Sequence, residues 1–268
     1  MKIKIVFSDI DGTFLTNDHQ VTKNTERAVK SLLEKNISFV LVSARMPEAI
    51  YPITKKIGIK IPIISYSGGL VLNENEEILY NKTIEIDHLK NILEAINKLW
   101  SNITINYYAG RNWFVRDVND ERVKREMDIT SATAEKADFD ELIEKKILPN
   151  KLLIMCDPPV CEEMELKLKK MYNELNIVRS SNILLEIMDK SVSKAAGIDI
   201  ILRHFGFNPE EAIGFGDNYN DIDMFKYVGY SVAMGNAPEA VKKFANAITT
   251  SNENDGIYNY LLKKNIIK

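Results

Sequence analysis

Apolar residues along the first part of the chain fall into two spacings. Short β-rich runs at 3–8 and 37–42 predict buried strands. Between them, Val29, Leu32 and Leu33 recur at helical spacing within a segment that runs from Thr22 to Lys35. Strand, helix and strand in this order predict a right-handed β-α-β unit.

The same alternation continues and then returns near the other end of the chain. A helix at 47–57 and a strand at 62–66 lead into a Gly68-Gly69 turn, a strand at 70–72 and a hairpin around 73–77. From Ser191 onward the pattern predicts helices at 194–205, 221–228 and 239–245, and strands at 212–215, 231–234 and 247–249. Alternating elements of this kind predict an α/β fold with a doubly wound, Rossmann-like parallel sheet.

The middle of the chain has a different arrangement of predicted strands and helices. Apolar strands are predicted at 103–108, 113–115, 151–156 and 184–188, between amphipathic helices at 87–100 and 160–175. Strands joined by short turns favour an antiparallel sheet with helices on one face. We therefore expect a discontinuous core of residues 1–81 and 191–268, interrupted by an inserted α+β domain of residues 82–190.

Composition and charge narrow the classes of partner. The 268 residues are 45% hydrophobic and 27% charged, with a net charge of −3, and no long block of Lys or Arg suggests nucleic-acid binding. No apolar run reaches the roughly 18 residues of a membrane span, and the first residues do not resemble a signal peptide. The two cysteines, Cys156 and Cys161, fit neither a zinc knuckle nor a CxxC pair. These features predict a cytoplasmic protein, without nucleic-acid or membrane partners, whose thiols are free.

The first candidate site residues follow the first predicted strand, in Asp9-Ile10-Asp11-Gly12-Thr13. Ligands of a doubly wound sheet bind at the carboxyl ends of its strands, which is where Asp9 and Asp11 lie. Carboxylates this close repel each other unless they share a cation. The alternative is a solvated strand end before a glycine turn.

Two further polar positions mark equivalent points of the predicted sheet. Ser43 and Arg45 come directly after a strand and before Pro47 opens a helix, where exposed N–H groups can bind phosphate; a simple helix cap is the alternative. Lys194 opens a helix although a cation there opposes the helix dipole at a cost of roughly 0.3–1 kcal/mol. This mismatch favours a functional ammonium over an exposed surface lysine.

The last cluster lies in the turn Gly214-Phe215-Gly216-Asp217-Asn218-Tyr219-Asn220-Asp221. Asp221 could simply favour the following helix electrostatically, but Asp217 lies earlier, where the strand ends. Carboxylate, carbonyl and water oxygens are the ligands that Mg²⁺ selects. The sequence therefore predicts a magnesium site that involves this turn.

The four clusters, in this order, resemble the motifs of the haloacid dehalogenase-like superfamily, and GDNYND with the long insert resembles its Cof-like phosphatases. The resemblance implies a Mg²⁺-dependent phosphatase that hydrolyses small phosphate monoesters through an aspartyl phosphate, with the insert acting as a cap that selects the substrate. It implies Asp9 as nucleophile, Asp11 as general acid and base, and phosphate contacts from Ser43, Lys194 and Asn220. It also implies a metal site formed by Asp9, the Asp11 main-chain carbonyl, Asp217 and, through water, Asp221.

Several points stay open at this level. Many relatives have Asn where this chain has Ser67, so the resemblance does not imply the phosphate or substrate contact that such an amide makes. Arg111, Trp113 and Arg179 are candidate substrate contacts in the insert, each of which has an ordinary structural alternative. A phosphosugar mutase of the same superfamily is the main alternative function, followed by a non-catalytic phosphate-binding or phosphoacceptor protein. The physiological substrate is not predicted, nor is the choice between a monomer and a small homo-oligomer.

Histidine- and cysteine-based phosphatase chemistry is disfavoured. The three histidines, His19, His88 and His204, lie away from the motifs, and neither cysteine has an arginine six positions later.

Overall fold

The computed structural model describes residues 2–268, and the chain forms two compact units. The first comprises the chain through Arg45 together with Ile50–Tyr80 and Ser193–Lys268, and the second comprises Met46–Ala49 and Asn81–Val192. No helix in residues 2–268 has the length and apolar character needed to cross a membrane. The domain limits predicted from the sequence, 81/82 and 190/191, stay a prediction.

Residues 2–81 supply five β-strands and two α-helices. They are β1 (Ile5–Asp9), α1 (Lys23–Glu34), β2 (Ser38–Val42), α2 (Pro47–Lys56), β3 (Ile63–Ser65), β4 (Leu70–Leu72) and β5 (Ile78–Asn81). Every residue of β1 is buried, as expected of a strand that is covered on both faces. Helix α1 begins after Thr22, whose side chain accepts a hydrogen bond from the Thr25 N–H.

The central part forms α3 (Ile86–Leu99), β6 (Thr104–Ala109), β7 (Asn112–Val115), α4 (Glu121–Thr130), β8 (Glu135–Lys136), α5 (Phe139–Glu144), β9 (Lys151–Met155), α6 (Pro158–Met171), β10 (Leu175–Ser181) and β11 (Leu184–Asp189). Its sheet has the order β10-β11-β9-β6-β7-β8, antiparallel except for the parallel pair β7 and β8. Alternate strand residues such as Ile105, Tyr107 and Ile154 pack with α3, α5 and α6 in one hydrophobic core.

The C-terminal part returns to the first unit with α7 (Lys194–Phe205), β12 (Ala212–Gly216), α8 (Ile222–Tyr227), β13 (Tyr230–Ala233), α9 (Glu239–Lys242), β14 (Ala247–Ile248) and α10 (Gly256–Lys263). The strand order of the large sheet is β14-β13-β12-β1-β2-β3-β4-β5. The pairs from β14 to β3 are parallel, and β4 runs antiparallel to β3. The predicted doubly wound α/β core is thereby confirmed.

Some predicted element limits were wrong. The helix predicted at 160–175 ends at Met171, because Leu175 begins β10. The helix predicted at 239–245 ends at Lys242. Helices α4, α5 and α10 were not predicted. In α4, Val123 is the buried hydrophobic residue, so the segment carries almost no apolar periodicity to recognise.

Candidate active site

Polar residues collect at one edge of the large sheet, where its parallel strands end. Asp9 is the last residue of β1, Ser43 directly follows β2, Asp217 directly follows β12, and Asn236 follows β13. These four strands are neighbours in the order β13-β12-β1-β2, and parallel strands bring their carboxyl ends together. The edge is therefore the candidate active site of the first unit.

The loop after β1 turns sharply and is closed by a hydrogen bond of 2.9 Å from the Leu15 N–H to the Ile10 carbonyl. Gly12 has a φ of +77°, a left-handed conformation that favours glycine. A Cβ atom on Gly12 would lie 2.4 Å from Oδ2 of Asp217. Glycine at position 12 thus allows this loop, residues 10–15, which we call the acidic loop, and the Asp217 carboxylate to approach each other.

Lys194 lies within a group of carboxylates. Its side chain is 1% exposed, and its Nζ is 2.6 Å from Oδ1 of Asp9 and 2.5 Å from Oδ1 of Asp221. Burial alone would lower the pKa of Lys194, but the Asp221 and Asp9 carboxylates raise it above its ordinary value. Burial raises the pKa of Asp9 well above the ordinary value, an effect that the Lys194 charge only partly offsets.

Asp221 holds the turn after β12 in place. Its Oδ2 accepts hydrogen bonds of 2.9 Å from the N–H groups of Asp217 and Asn218, while Oδ1 accepts from Lys194. A carboxylate offers about four acceptor positions, and three of those on Asp221 are occupied. This residue therefore orients the turn and the lysine, which leaves it little capacity for a direct bond to a cation.

Asp217 is oriented by Thr13, whose Oγ1 donates a hydrogen bond of 2.8 Å to Oδ1 of Asp217. Burial raises the pKa of Asp217 to about 6; the Thr13 hydrogen bond lowers it, and the Asp221 carboxylate raises it further. This acid is consequently easy to protonate when no cation stabilises its charge.

The donor set of this cluster fits a hard divalent cation. Carboxylate oxygens of Asp9, Asp217 and Asp221 all lie within 4.8 Å of one another. The group has three carboxylates and one ammonium, which contacts Asp9 and Asp221, so two negative charges stay uncompensated when all three acids are ionised. Oxygen ligands of this kind are the ones that Mg²⁺ selects.

The side chain of Asp11 lies outside that cluster and is paired with Arg45. Arg45 donates from Nε to Oδ2 of Asp11 at 2.8 Å and from Nη2 to Oδ1 at 2.5 Å, a two-point contact. Arg45 itself is anchored through its backbone, which donates to Oγ of Ser43 at 3.1 Å and accepts from Oγ of Ser65 at 2.6 Å. The predicted acid and the predicted phosphate ligand therefore contact each other.

The remaining predicted residues are placed as follows. Ser43 is buried at the end of β2, and its carbonyl accepts a hydrogen bond of 2.8 Å from the Ser67 N–H. Ser67 adopts a left-handed φ of 54°, a conformation that asparagine also tolerates well. Asn220 is exposed in the turn between β12 and α8. The phosphate contacts predicted for Ser43, Arg45, Lys194 and Asn220 stay predictions, as do the metal contacts.

Asn236 is a residue that sequence reasoning missed. Its Nδ2 donates 2.8 Å to the Gly12 carbonyl and lies 3.4 Å from Oδ2 of Asp217. The signal was present, because Asn236 comes shortly after a parallel strand, as Asp217 does.

The candidate contacts in the second unit are mostly engaged in its structure. Trp113 is 1% exposed, and its Nε1 donates 3.0 Å to Oδ1 of Asn106. Arg179 pairs with Glu165 at 3.1 Å, and Arg111 pairs with Glu48. Trp113 is thus a core residue, which argues against a substrate contact.

Comparison with known proteins gives the family. A model of the haloacid dehalogenase-like hydrolases matches residues 6–261. A Haemophilus influenzae protein named "Putative phosphatase" is 38% identical over 259 residues, which cover 96% of each chain. The structure of a haloacid dehalogenase-like hydrolase from Bacteroides thetaiotaomicron matches 98% of this chain and 100% of its own, with a TM-score of 0.89 and 28% identity. A sugar phosphatase of subclass IIB gives a TM-score of 0.84 and 26% identity, again over 98% and 100%. Together with the acidic cluster around Lys194, these matches identify the chain as a phosphatase that belongs to the haloacid dehalogenase-like hydrolases.

Proposed function

We propose that this phosphatase is Mg²⁺-dependent and hydrolyses small phosphate monoesters through an aspartyl phosphate on Asp9. The observation that carries the proposal is the buried ion-pair group in which Lys194 contacts both Asp9 and Asp221 beside Asp217. Buried charges are costly to maintain, and strongly perturbed acids in such a group are typical of catalytic sites.

Asp9 is the nucleophile in this proposal. It lies at the end of a fully buried strand, so its carboxylate has a fixed position. One carboxylate oxygen forms a bond to phosphorus while the bond from phosphorus to the ester oxygen breaks. Lys194, at 2.6 Å from Oδ1, provides positive charge beside both the attacking carboxylate and the phosphate that it attacks.

Asp11 serves as general acid and then as general base. It gives a proton to the departing ester oxygen, and it later accepts a proton from the water that hydrolyses the aspartyl phosphate. The Arg45 contact fixes the orientation of this carboxylate. We propose that Ser43, Arg45 and Asn220 also contact the phosphate group of the substrate.

Asp9 and Asp217 are the side chains proposed to hold Mg²⁺, with the Asp11 main-chain carbonyl, while Asp221 acts through water. Proteins of this family generally use a metal ion. When bound, the ion supplies positive charge that favours the ionised form of Asp9 and reduces its repulsion from a phosphate dianion.

The substrate class that we propose is a phosphorylated small metabolite such as a sugar phosphate, flavin mononucleotide or pyridoxal phosphate. One matched structure is that of a sugar phosphatase, which supports the first of these. We further propose that the protein acts in the cytoplasm as a monomer or small homo-oligomer, and that the second unit selects the leaving group. The free, buried thiols of Cys156 and Cys161 are compatible with a reducing compartment.

The test is phosphate release from p-nitrophenyl phosphate and a panel of these esters, with Mg²⁺ or with a chelator, for the native chain and for Asp9→Asn. The variant retains the shape of the side chain but lacks the nucleophile, so activity should fall by at least about three orders of magnitude. Asp18→Asn, at an exposed position near the same loop, is the matched control and should retain activity.

Turnover that persists in Asp9→Asn, or that is equally fast with the chelator, would contradict the proposed mechanism. Acid-stable trapping of phosphate on the native chain, absent from Asp9→Asn, would identify the intermediate. A requirement for an added sugar bisphosphate would instead favour the mutase alternative.

A further inference from the structure

Two asparagines that lie outside the four sequence motifs donate hydrogen bonds to backbone carbonyls of the acidic loop. Asn236 donates from Nδ2 to the Gly12 carbonyl at 2.8 Å, and Asn252 donates from Nδ2 to the Leu15 carbonyl at 2.9 Å. The two are joined, because the Asn252 N–H donates 3.1 Å to Oδ1 of Asn236. We call Asn236 and Asn252 the asparagine pair.

The asparagine pair comes from two separate segments of the sheet edge. Asn236 follows β13, and Asn252 lies beyond β14. The Asn252 side chain is buried, whereas Asn236 is exposed to solvent. Hydrogen bonds from these segments hold a carbonyl on each side of Thr13, within the loop that follows the nucleophile.

The same loop fixes Asp217. Thr13 donates 2.8 Å to Oδ1 of Asp217, and Asn236 approaches Oδ2 of Asp217 at 3.4 Å, so donors lie beside both carboxylate oxygens. The 2.8 Å bond to the Gly12 carbonyl is the stronger contact of Asn236, and it acts on the residue whose Cα lies against Asp217. Both contacts restrict where the Asp217 carboxylate can lie relative to Asp9.

We propose that Asn236 is a positioning residue that pre-organises Asp217 and the acidic loop for the divalent cation. This inference rests on the proposed function, because it requires the cation site. Groups that orient metal ligands by hydrogen bonds commonly change metal affinity by about 10–100-fold when they are removed. The side-chain hydrogen bonds of Asn236 reach Gly12, Asp217 and Asn252, so in this proposal it acts through the ligand Asp217.

The decisive variant is Asn236→Ala, which removes the donor to Gly12 and Asp217 and the acceptor of Asn252. The side chain is exposed, so truncation leaves no buried cavity and the chain should fold. We expect the Kd for Mg²⁺, obtained from the way the melting temperature rises with Mg²⁺ concentration, to increase about 10-fold or more. We call the Mg²⁺ concentration equal to this Kd the Mg²⁺ midpoint. At saturating Mg²⁺, kcat should return to within a few-fold of the native value.

The chain offers a matched control at the other end of the same strand. Asn246 is also exposed, and its Oδ1 accepts from the N–H and Oγ of Ser231 at 2.8 and 2.9 Å, at the amino end of β13. Asn246→Ala removes a similar set of side-chain hydrogen bonds, at the opposite end of β13 from Asn236. It should lower the melting temperature without changing the Mg²⁺ midpoint.

A double-mutant cycle tests whether Asn236 acts through the Asp217 carboxylate. Thr13→Val removes the other side-chain donor to Asp217 with little change in shape. Because both donors act on one carboxylate, the effects of Thr13→Val and Asn236→Ala on the Mg²⁺ midpoint should be non-additive. Strict additivity would show that Asn236 does not act through Asp217.

The outcomes separate this inference from the proposed function. If Mg²⁺ stabilises the native chain and Asn236→Ala has the native Mg²⁺ midpoint, the positioning role is wrong and the proposed function stands. If Mg²⁺ does not stabilise the native chain at all, the proposed cation site fails and the inference fails with it. A raised midpoint in Asn236→Ala alone supports the inference.

Discussion

At the scale of single residues, the site depends on a lysine in an unfavourable helical position. Lys194 is the first residue of α7, where the helix dipole disfavours a cation. The contacts with Asp9 and Asp221 outweigh that disadvantage, because both are close and buried. The sequence alone revealed the mismatch, and the structure supplies its electrostatic reason.

Gly216 lets Asp221 approach Lys194, and its replacement should disturb the whole group. A Cβ atom at position 216 would lie 2.5 Å from Cγ of Asp221. Gly216→Ala should therefore displace Asp221, destabilise the chain by about 1–3 kcal/mol and reduce kcat at least about 100-fold. Denaturant unfolding and steady-state kinetics measure the two effects.

A suitable control lies two residues earlier in the same strand. A Cβ atom on Gly214 would lie 3.1 Å from Cγ of Met224, a flexible side chain that can move. Gly214→Ala should be milder in both measurements, and equal loss of activity in the two variants would refute the explanation.

The pKa of Asp217 gives a prediction for pH. This pKa is raised from 3.8 to about 6 by burial, so between roughly pH 4 and 6 the folded, metal-free protein keeps a proton that the unfolded chain has released. The contribution of Asp217 to stability therefore decreases as the pH rises through this window, while Mg²⁺ affinity increases as the carboxylate ionises.

The measurement is the melting temperature at a series of pH values, with chelator and with Mg²⁺, for the native chain and for Asp217→Asn. The variant cannot ionise at this position, so its metal-free stability should fall less steeply across the window. Identical pH profiles for the two proteins would contradict the assignment.

At the scale of secondary-structure elements, the start of α7 determines where Lys194 lies. The Ser193 side chain accepts a hydrogen bond of 3.1 Å from the Ala196 N–H and caps the helix. Ser193→Ala should cost about 1 kcal/mol of stability. Because Lys194 is the next residue, we also expect kcat to fall several-fold.

Asp138 provides the comparison, since it caps α5 in the second unit by accepting from the Asp140 N–H at 2.8 Å. Asp138→Ala should have a similar stability cost, measured by chemical denaturation, with kcat unchanged. A Ser193→Ala variant with full activity would show that the cap does not influence the lysine.

The elements also show what the sequence could predict. The limits of α7 were predicted at both ends, and β1 and β12 within two residues, because their apolar runs end at marked polar or glycine positions. The strand-end rule then predicted Asp9, Ser43 and Asp217 at one edge. It could not predict that Arg45 would pair with Asp11, because such a pairing depends on side-chain directions in three dimensions rather than on spacing.

At the scale of the whole molecule, each unit has a separate hydrophobic core. One cluster draws its buried residues from 84–187, within the second unit, and the other from 5–71 and 198–241, within the first. The candidate cation ligands Asp9 and Asp217 belong to the first unit. Both tryptophans of the chain, Trp100 and Trp113, belong to the second.

This distribution predicts that Mg²⁺ stabilises the two units unequally. A ligand at 100 times its Kd stabilises the folded state that binds it by about 2.7 kcal/mol, and here that state is the first unit. During thermal unfolding, far-ultraviolet circular dichroism follows both units, whereas tryptophan fluorescence follows the second. Mg²⁺ should therefore raise a circular dichroism midpoint and leave the tryptophan midpoint in place, and Asp9→Asn together with Asp217→Asn should abolish the increase. A tryptophan midpoint that rises equally with Mg²⁺ would mean that the units unfold as one cooperative body despite their separate cores.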